Sequence, residues 1–458
     1  MSWEPPKPQL HSNRFSLLGD WLGKRAISML DMIPQAAYRI QMGVRRLAWV
    51  KVFLVNAPET VREVMVECPA KFPKHEFLHD ILSPLIGTSL FNANGELWQQ
   101  QRRLVAQAFE VANLRQVFPL MNAAVDDMLT RMHAMTQEPI AIEPQMSHVT
   151  ADIMYRAILS QVLSTEEAHD VHRAFSLYQR AAQRQMGLSA IYMPVFWHRR
   201  IARKHALQIR ETYASHIRTR YQNRNLSEIG ARDAGIDMLA ALINARDAVT
   251  GATLGENDLI DQVSTLFLAG HETSASTLSW ALCMLSYQPQ WQERIAQEAQ
   301  ALWQGRTPEF GDTHQLRFTQ AVFKETLRLY PPIAFYVRQA AQDTCLRDKA
   351  VQTGDMVVIS PWVIHRHKGL WQEPDRFDPE RFLGTAPVKH SYLPFGLGER
   401  ACPGAAFASQ ESVLILARIV QQFELLPQGD QPPQPVARLT LRAAQEIRIK
   451  LRVRSKKA

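Results

Sequence analysis

From about residue 110 to residue 330 the apolar side chains recur at three- and four-residue intervals, the spacing that gathers them on one face of a helix. Alternating or β-branched runs are few: Val50 to Val55, Val357 to Ile359 and Ile447 to Val453. The pattern predicts a mainly helical protein with small sheets. The longest helical stretch, Asn257 to Tyr287, follows Gly255 and is stopped by Pro289. At about 1.5 Å per residue it would span on the order of 45 Å and cross a whole domain. Its middle breaks the pattern, because Ala269-Gly270-His271-Glu272-Thr273-Ser274 sets a glycine and a row of polar groups into an apolar helix. Local inconsistency of this kind points to function. A second strong helical pattern starts at Gly404, and Pro427 to Pro435 reads as a loop before a last hairpin. The stretch Phe15 to Ile33 is amphipathic and is expected to pack on its own domain rather than lie on lipid.

Composition changes the picture little. With 46% apolar and 21% charged residues the chain should bury an ordinary core. Lys and Arg exceed Asp and Glu by 52 to 44, with basic clusters at Trp197 to Lys204 and Arg452 to Lys457. These read as solvated faces, and no nucleic-acid partner is expected. No apolar run approaches the ~18 residues of a membrane span, and no signal peptide opens the chain, so a cytoplasmic protein without an integral anchor is expected. Cys68, Cys283, Cys345 and Cys402 form no C-x-x-C pair, which argues against a disulfide or zinc framework.

Candidate chemistry concentrates in Phe395 to Gly404, FGLGERACPG. Gly396-Leu397-Gly398-Glu399-Arg400-Ala401 matches G-x-G-x-x-A, but Pro394 stands where a central strand should run and too little chain follows for a doubly wound sheet. Cys402 as a nucleophile would need a base, and the nearest upstream histidine, His390, belongs to another segment. A buried structural thiol is the bland reading. The surroundings favour a thiolate instead: the helix from Gly404 offers its dipole and free N–H groups, Pro403 is expected to pre-set the first turn, and the amides of Gly404 and Ala405 are the expected partners of the sulfur. Gly404 also removes a side chain where a flat ligand would approach. An open thiolate with Arg400 two residues before it suits a haem, sulfur to iron and guanidinium to a propionate.

Phe395-x-x-Gly398-x-Arg400-x-Cys402-x-Gly404 resembles the haem-binding loop of cytochromes P450, and the resemblance extends from about Val52 to Arg452. It implies the P450 fold, a helix-rich triangular single domain with a long central helix, here residues 51–458 after a partly helical segment 1–50. It implies haem b as cofactor, Cys402 as iron ligand, and a reaction that inserts one atom of O2 into an apolar substrate. Lys324-Glu325-Thr326-Leu327-Arg328 and Pro379-Glu380-Arg381-Phe382 look like the family's Glu-Arg-Arg lock, giving Glu325, Arg328 and Arg381 a structural role. Trp98 and Arg102, at i, i+4 spacing, can reach one propionate from a single helix face. They resemble the family's W-x-x-x-R helix, and Arg338 matches another propionate-binding arginine. His365 matches less closely and is read as a capping or packing residue.

His271-Glu272 lacks the second histidine of H-E-x-x-H, since Ala275 stands there, so zinc is not expected. The stretch matches the family's oxygen-activating segment instead. By that resemblance Ala269 and Gly270 let dioxygen sit against the helix, Thr273 faces the iron, and Glu272 relays protons with it, while His271 points away. The same carry-over lines the substrate pocket with Phe77, Leu78, Phe267, Ile333, Ala334, Phe335 and the hairpin tip near Ala443. That lining implies a hydrophobic substrate such as a terpenoid, fatty acid or polyketide-like molecule. The segment Ile191 to Trp197 matches the loop between the family's lid helices and is expected to serve as a mobile lid. Only 56 residues follow Cys402 (458 − 402), too few for a flavin domain, and no cysteine cluster exists. A separate acidic ferredoxin or flavodoxin with its NAD(P)H reductase is therefore expected, docking near Arg102 and Arg103 on a monomeric enzyme of bacterial type. A peroxide-driven peroxygenase and a non-catalytic haem sensor or carrier are the alternatives.

Overall fold

A computed structural model describes residues 4–8, 28–47, 50–190, 196–223 and 237–455. The amphipathic stretch up to residue 27, the lid-loop residues 191–195 and the last three residues of the basic tail lie outside them. Ten long helices build the body: Glu76–Ile86 (α1), Gly95–Ala106 (α2), Val111–His133 (α3), Ile142–Leu159 (α4), Thr165–Ala190 (α5), Phe196–Asn223 (α6), Glu256–Ser286 (α7), Pro289–Trp303 (α8), Arg317–Leu329 (α9) and Ala405–Gln422 (α10). The strands are Met42–Leu47 (β1), Val50–Val55 (β2), Ile140–Ala141 (β3), Tyr336–Gln339 (β4), Thr344–Leu346 (β5), Lys349–Val351 (β6), Met356–Ile359 (β7), Phe423–Pro427 (β8), Pro435–Ala437 (β9), Leu441–Ala443 (β10) and Arg448–Val453 (β11).

α7 is the 31-residue helix that the apolar pattern predicts, begun one residue early where the Gly255 N–H is capped by Asp258 Oδ2 at 3.1 Å. It packs along α4, and there the apolar pattern pays off, since both helices are buried almost all round. Thr150 of α4 donates to the His271 carbonyl at 2.9 Å. The helices approach so closely that a Cβ on Gly270 would lie 2.5 Å from Met154 Sδ. Thus the space beside Gly270 is filled by α4, and close helix packing, rather than room for dioxygen, accounts for the missing side chain.

β1, β2, β7 and β4 form one sheet in that order, β2 and β7 running parallel. Phe53, Val55, Val357 and Ile359 face a second, smaller core beneath it. Because all six residues of β1 pair with β2, the sheet extends into the segment that the sequence sets apart before residue 51. β4, absent from the strands that the sequence pattern predicts, is an edge strand held antiparallel to β7, and it brings Arg338 beside the haem-binding loop.

Candidate active site

The loop before α10 closes on itself: the Cys402 N–H donates to the Phe395 carbonyl at 2.8 Å. Gly398 adopts φ +70, and a Cβ there would meet the Met65 carbonyl oxygen at 2.2 Å, so only glycine lets the loop lie on the segment Glu63–Glu67. Helix α10 begins at Ala405 with Gly404 as its N-cap, which leaves Pro403 ahead of the cap rather than in the first turn. The Gly404 N–H points at the Cys402 sulfur. The missing Gly404 side chain would come within 3.2 Å of the Phe109 ring, so it relieves packing there and not against a ligand. Cys402 itself is accessible. Crowding by protein on its other sides pushes the thiol up, while the Gly404 amide and Arg102 pull the other way.

Around this loop lies a group of cations that form no ion pair among the described residues. Arg400 stacks 4.1 Å over the Trp98 ring and donates to the Ala93 carbonyl and to Asn94 Oδ1, each at 3.0 Å. Arg338 donates to the carbonyl of its neighbour Val337 at 3.2 Å and forms a backbone bridge with Lys74. Lys74, a residue the sequence reading missed, donates to the Phe91 carbonyl and lies 4.2 Å over the Phe91 ring. Burial and the facing Arg338 and Arg400 charges hold the Lys74 ammonium well below the usual lysine range. Burial lowers Arg338 too, and burial with Arg338 brings Arg400 down to about 10 despite Glu399 nearby. Arg102 is lowered by burial and raised by Cys402, so its charge lies within reach of the sulfur. Buried like charges require a counterion. The two propionates of a haem would supply it, so the residues present fit a haem with Cys402 as the candidate iron ligand.

Across α7, residues from Leu259 to Ser286 are buried except at Asp261, Leu268, Ala269, Gly270 and Thr273. Ala269 and Thr273 are four apart on one face, and the Thr273 hydroxyl donates to the Ala269 carbonyl at 2.6 Å. Glu272 faces elsewhere. Its Oε1 accepts from Gln179 at 2.6 Å, Thr440 at 2.7 Å and Arg442 Nε at 2.8 Å, and Arg442 also pairs with Glu143. Burial pushes this carboxyl up, but Arg442, His271 and the hydrogen bonds outweigh it and the net direction is down. The structure therefore does not join Thr273 and Glu272 directly. His271 points away as expected, its Nδ1 2.7 Å from the Phe267 carbonyl. Behind the strip Ser274 donates to Glu411 at 3.0 Å, a buried acid of α10 whose carboxyl burial pushes up to about 8.

Of the expected pocket residues, Phe77, Leu78, Ile333 and Phe335 are half-buried and Ala334 is nearly covered. Phe267 is 2% exposed and packs on Tyr213 and His271, on the face opposite the accessible strip; Leu268 holds the accessible position instead. Ala443 pairs with Pro435 at the base of the β9–β10 hairpin, whose tip is Arg438-Leu439-Thr440. Phe196 and Trp197 stand exposed at the start of α6.

Beneath the loop all five guanidinium N–H groups of Arg328 are used: two bonds to Glu325 at 2.7 and 2.8 Å, and others to the carbonyls of His365, Pro374 and Arg376. Arg381 closes the lock on Glu325 at 3.1 Å. His365 is more than packing. Its Nδ1 lies 3.1 Å from the Arg328 carbonyl and its Nε2 accepts the Leu393 N–H at 2.8 Å, two residues before Phe395. Burial, then Arg328, drives this imidazole down to about 3, so it stays neutral.

Two solved haem proteins share the fold. The cytochrome P450DA heme domain gives a TM-score of 0.83 at 22% identity, covering 99% of this chain and 98% of that one. Cytochrome P450 CYP102L1 gives 0.79 at 27%, covering 92% and 96%. In sequence, cyclooctatin synthase of Streptomyces melanosporofaciens is 30% identical over 92% of this chain and 90% of its own. Pentalenene oxygenase of Streptomyces avermitilis is 29% identical over 87% of each. The family model described as Cytochrome P450 matches residues 35–451, and the chain belongs to that family.

Proposed function

We propose that this monooxygenase oxidises a hydrophobic molecule of terpenoid or fatty-acid type, hydroxylating or epoxidising it with electrons from a separate acidic ferredoxin or flavodoxin. Membership in the family makes the protein a haem b monooxygenase that uses dioxygen and a redox partner. When bound, haem would supply the iron chemistry that activates dioxygen. The observation that carries the site assignment is the group Lys74, Arg338 and Arg400, without an ion-pair partner among the described residues, beside an accessible Cys402.

In this reading Cys402 binds the iron, the three cations and the Trp98 face receive the propionate edge, and Phe395, Gly398 and Gly404 shape the loop. The accessible Ala269–Thr273 strip would line the open side of a bound haem. The Thr273 hydroxyl donates a hydrogen bond to the Ala269 carbonyl, which leaves the lone pairs of Oγ1 to accept a hydrogen bond from a water and hold it on the strip for proton delivery. Glu272 reaches that water only by leaving Arg442, so Arg442 sets how readily the carboxylate takes part. Phe77, Leu78, Ile333 and Phe335 exclude bulk water from the reacting carbon.

Arg103 is committed to Asp247 by bonds of 2.5 and 2.9 Å and is no free docking charge. Arg115 is a better probe of partner docking: it is exposed and lies 5.4 Å over Phe310, whose carbonyl is tied to Gln410 of α10. Among the described residues no helix is long and apolar enough to cross a membrane, and we assign a monomer working in the cytoplasm. Two assays test the reading together. The reduced protein under carbon monoxide should show the thiolate-ligated band, and product should form with NADPH, a ferredoxin and its reductase. A band typical of nitrogen ligation overturns it, and product formed with peroxide alone supports the peroxygenase alternative.

A further inference from the structure

The hairpin tip carries a cation that neither the haem nor the proton-handling groups use. Thr440 Oγ1 lies 2.7 Å from Glu272 and 3.4 Å from Gln179, while the Leu441 N–H donates to the Pro332 carbonyl at 2.9 Å. The tip is thereby wedged between α7, α5 and the turn that carries Ile333 and Phe335. Leu439 packs on the main core from this tip. Arg438, two residues before Thr440, has a buried Nε with no hydrogen-bond partner. Arg180 follows Gln179 on α5 and is exposed, and it is the charge acting most strongly on Arg438. Neither arginine forms an ion pair among the described residues.

The acids nearby do not answer this charge. Glu143 and Glu272 both attract Arg438, yet both are engaged by Arg442. Three arginines against two carboxylates leave one positive charge unmatched, on the hairpin tip that lies against the turn carrying Ile333 and Phe335. A half-buried guanidinium with an unused N–H is costly in isolation and well suited to a planar anion with two oxygens.

We propose that Arg438 and Arg180 form a carboxylate-binding site at the rim of the substrate pocket. The substrate is then an apolar molecule ending in a carboxylate, anchored at the hairpin tip with its body directed toward Thr273. This rests on the haem monooxygenase reading above and narrows its substrate class. A fatty acid and a terpenoid acid present the same group, so the chemistry is fixed while the carbon skeleton is left to experiment.

The test uses the holoenzyme and reads the low- to high-spin absorbance change on titration with two matched pairs: dodecanoic acid against methyl dodecanoate, and abietic acid against methyl abietate. At least one acid should bind about tenfold or more tightly than its ester, the worth of one charged hydrogen-bond pair. The gap should shrink in about 0.5 M sodium chloride. Arg438→Gln with Arg180→Gln should weaken the acid and leave the ester unchanged, with haem content and the carbon monoxide band as controls of folding. Equal affinity of acid and ester in both pairs, no spin change with any probe in a protein showing the thiolate band, or a gap that survives the double substitution each overturns the inference. Loss of the thiolate band in the wild-type protein instead overturns the haem-thiolate reading on which it rests.

Discussion

The carboxylate of Glu272, on the central helix, is joined to the guanidinium of Arg442, on a hairpin strand, with Arg442 Nε 2.8 Å from Glu272 Oε1 and both side chains buried. Removing one partner of such a pair strands the other without solvent. Arg442→Ala is expected to lower the unfolding free energy by about 3–5 kcal/mol. Arg442→Met with Glu272→Gln should recover most of the loss, and urea unfolding of the holoenzymes measures both. If the pair also restrains proton delivery, Arg442→Lys should change the solvent isotope effect on turnover.

Thr273 is the hydroxyl on the accessible strip, so its loss should be felt in chemistry rather than folding. Thr273→Ala should leave the melting temperature within a degree or two and the carbon monoxide band intact. Product formed per oxygen consumed should fall on the order of tenfold or more. Oxygen-electrode traces with product quantitation decide this, and unaltered coupling would remove Thr273 from the proton path.

Lys74 gives a check on the propionate assignment that does not depend on turnover. Lys74→Met keeps the stem over Phe91 and removes the charge. Haem loss to excess apomyoglobin should speed up roughly tenfold, as expected for one lost charged hydrogen bond. Arg115→Glu should leave that rate unchanged.

Gly270→Ala should destabilise by about 1–3 kcal/mol, because its methyl group would overlap Met154 across the α4–α7 contact. Met154→Ala in the same chain should offset part of that cost, and a double-mutant cycle measures the coupling.

His365 supplies a pH signature. Its folded-state value is lowered to about 3 by burial and by Arg328, whereas an unfolded imidazole titrates near 6.5. Below about pH 6.5 the unfolded chain takes up a proton that the native one refuses, so stability falls as pH drops toward 3. The slope from this residue approaches about 1.4 kcal/mol per pH unit. His365→Gln should be less stable at pH 8 yet lack this part of the slope, as denaturant curves at several pH values would show.

What the sequence revealed follows the range over which each signal acts. A helix as long as α7 carries enough apolar repeats to place its ends within a residue, and β2, β7 and β11 announce themselves by β-branched runs. The edge strands β1 and β4, MGVRRL and YVRQ, look like loops because their order comes from pairing with distant partners. The family resemblance singled out Cys402, Thr273 and the Glu325-Arg328-Arg381 lock, whose hydrogen bonds the structure shows. It did not show that Glu272 turns to Arg442, that Gly270 serves Met154, or that Lys74 joins Arg338, since each depends on contacts between remote segments. Phe267 was misplaced for a simpler reason: a residue two before Ala269 lies about 200° round the helix from it.

Because Arg328 is saturated and His365 hands its backbone link to Leu393, the turn bearing the sulfur is fixed by the polypeptide alone. In the apoprotein this turn should thus already be cut to shape, while the cation side settles only when the prosthetic group brings its carboxylates.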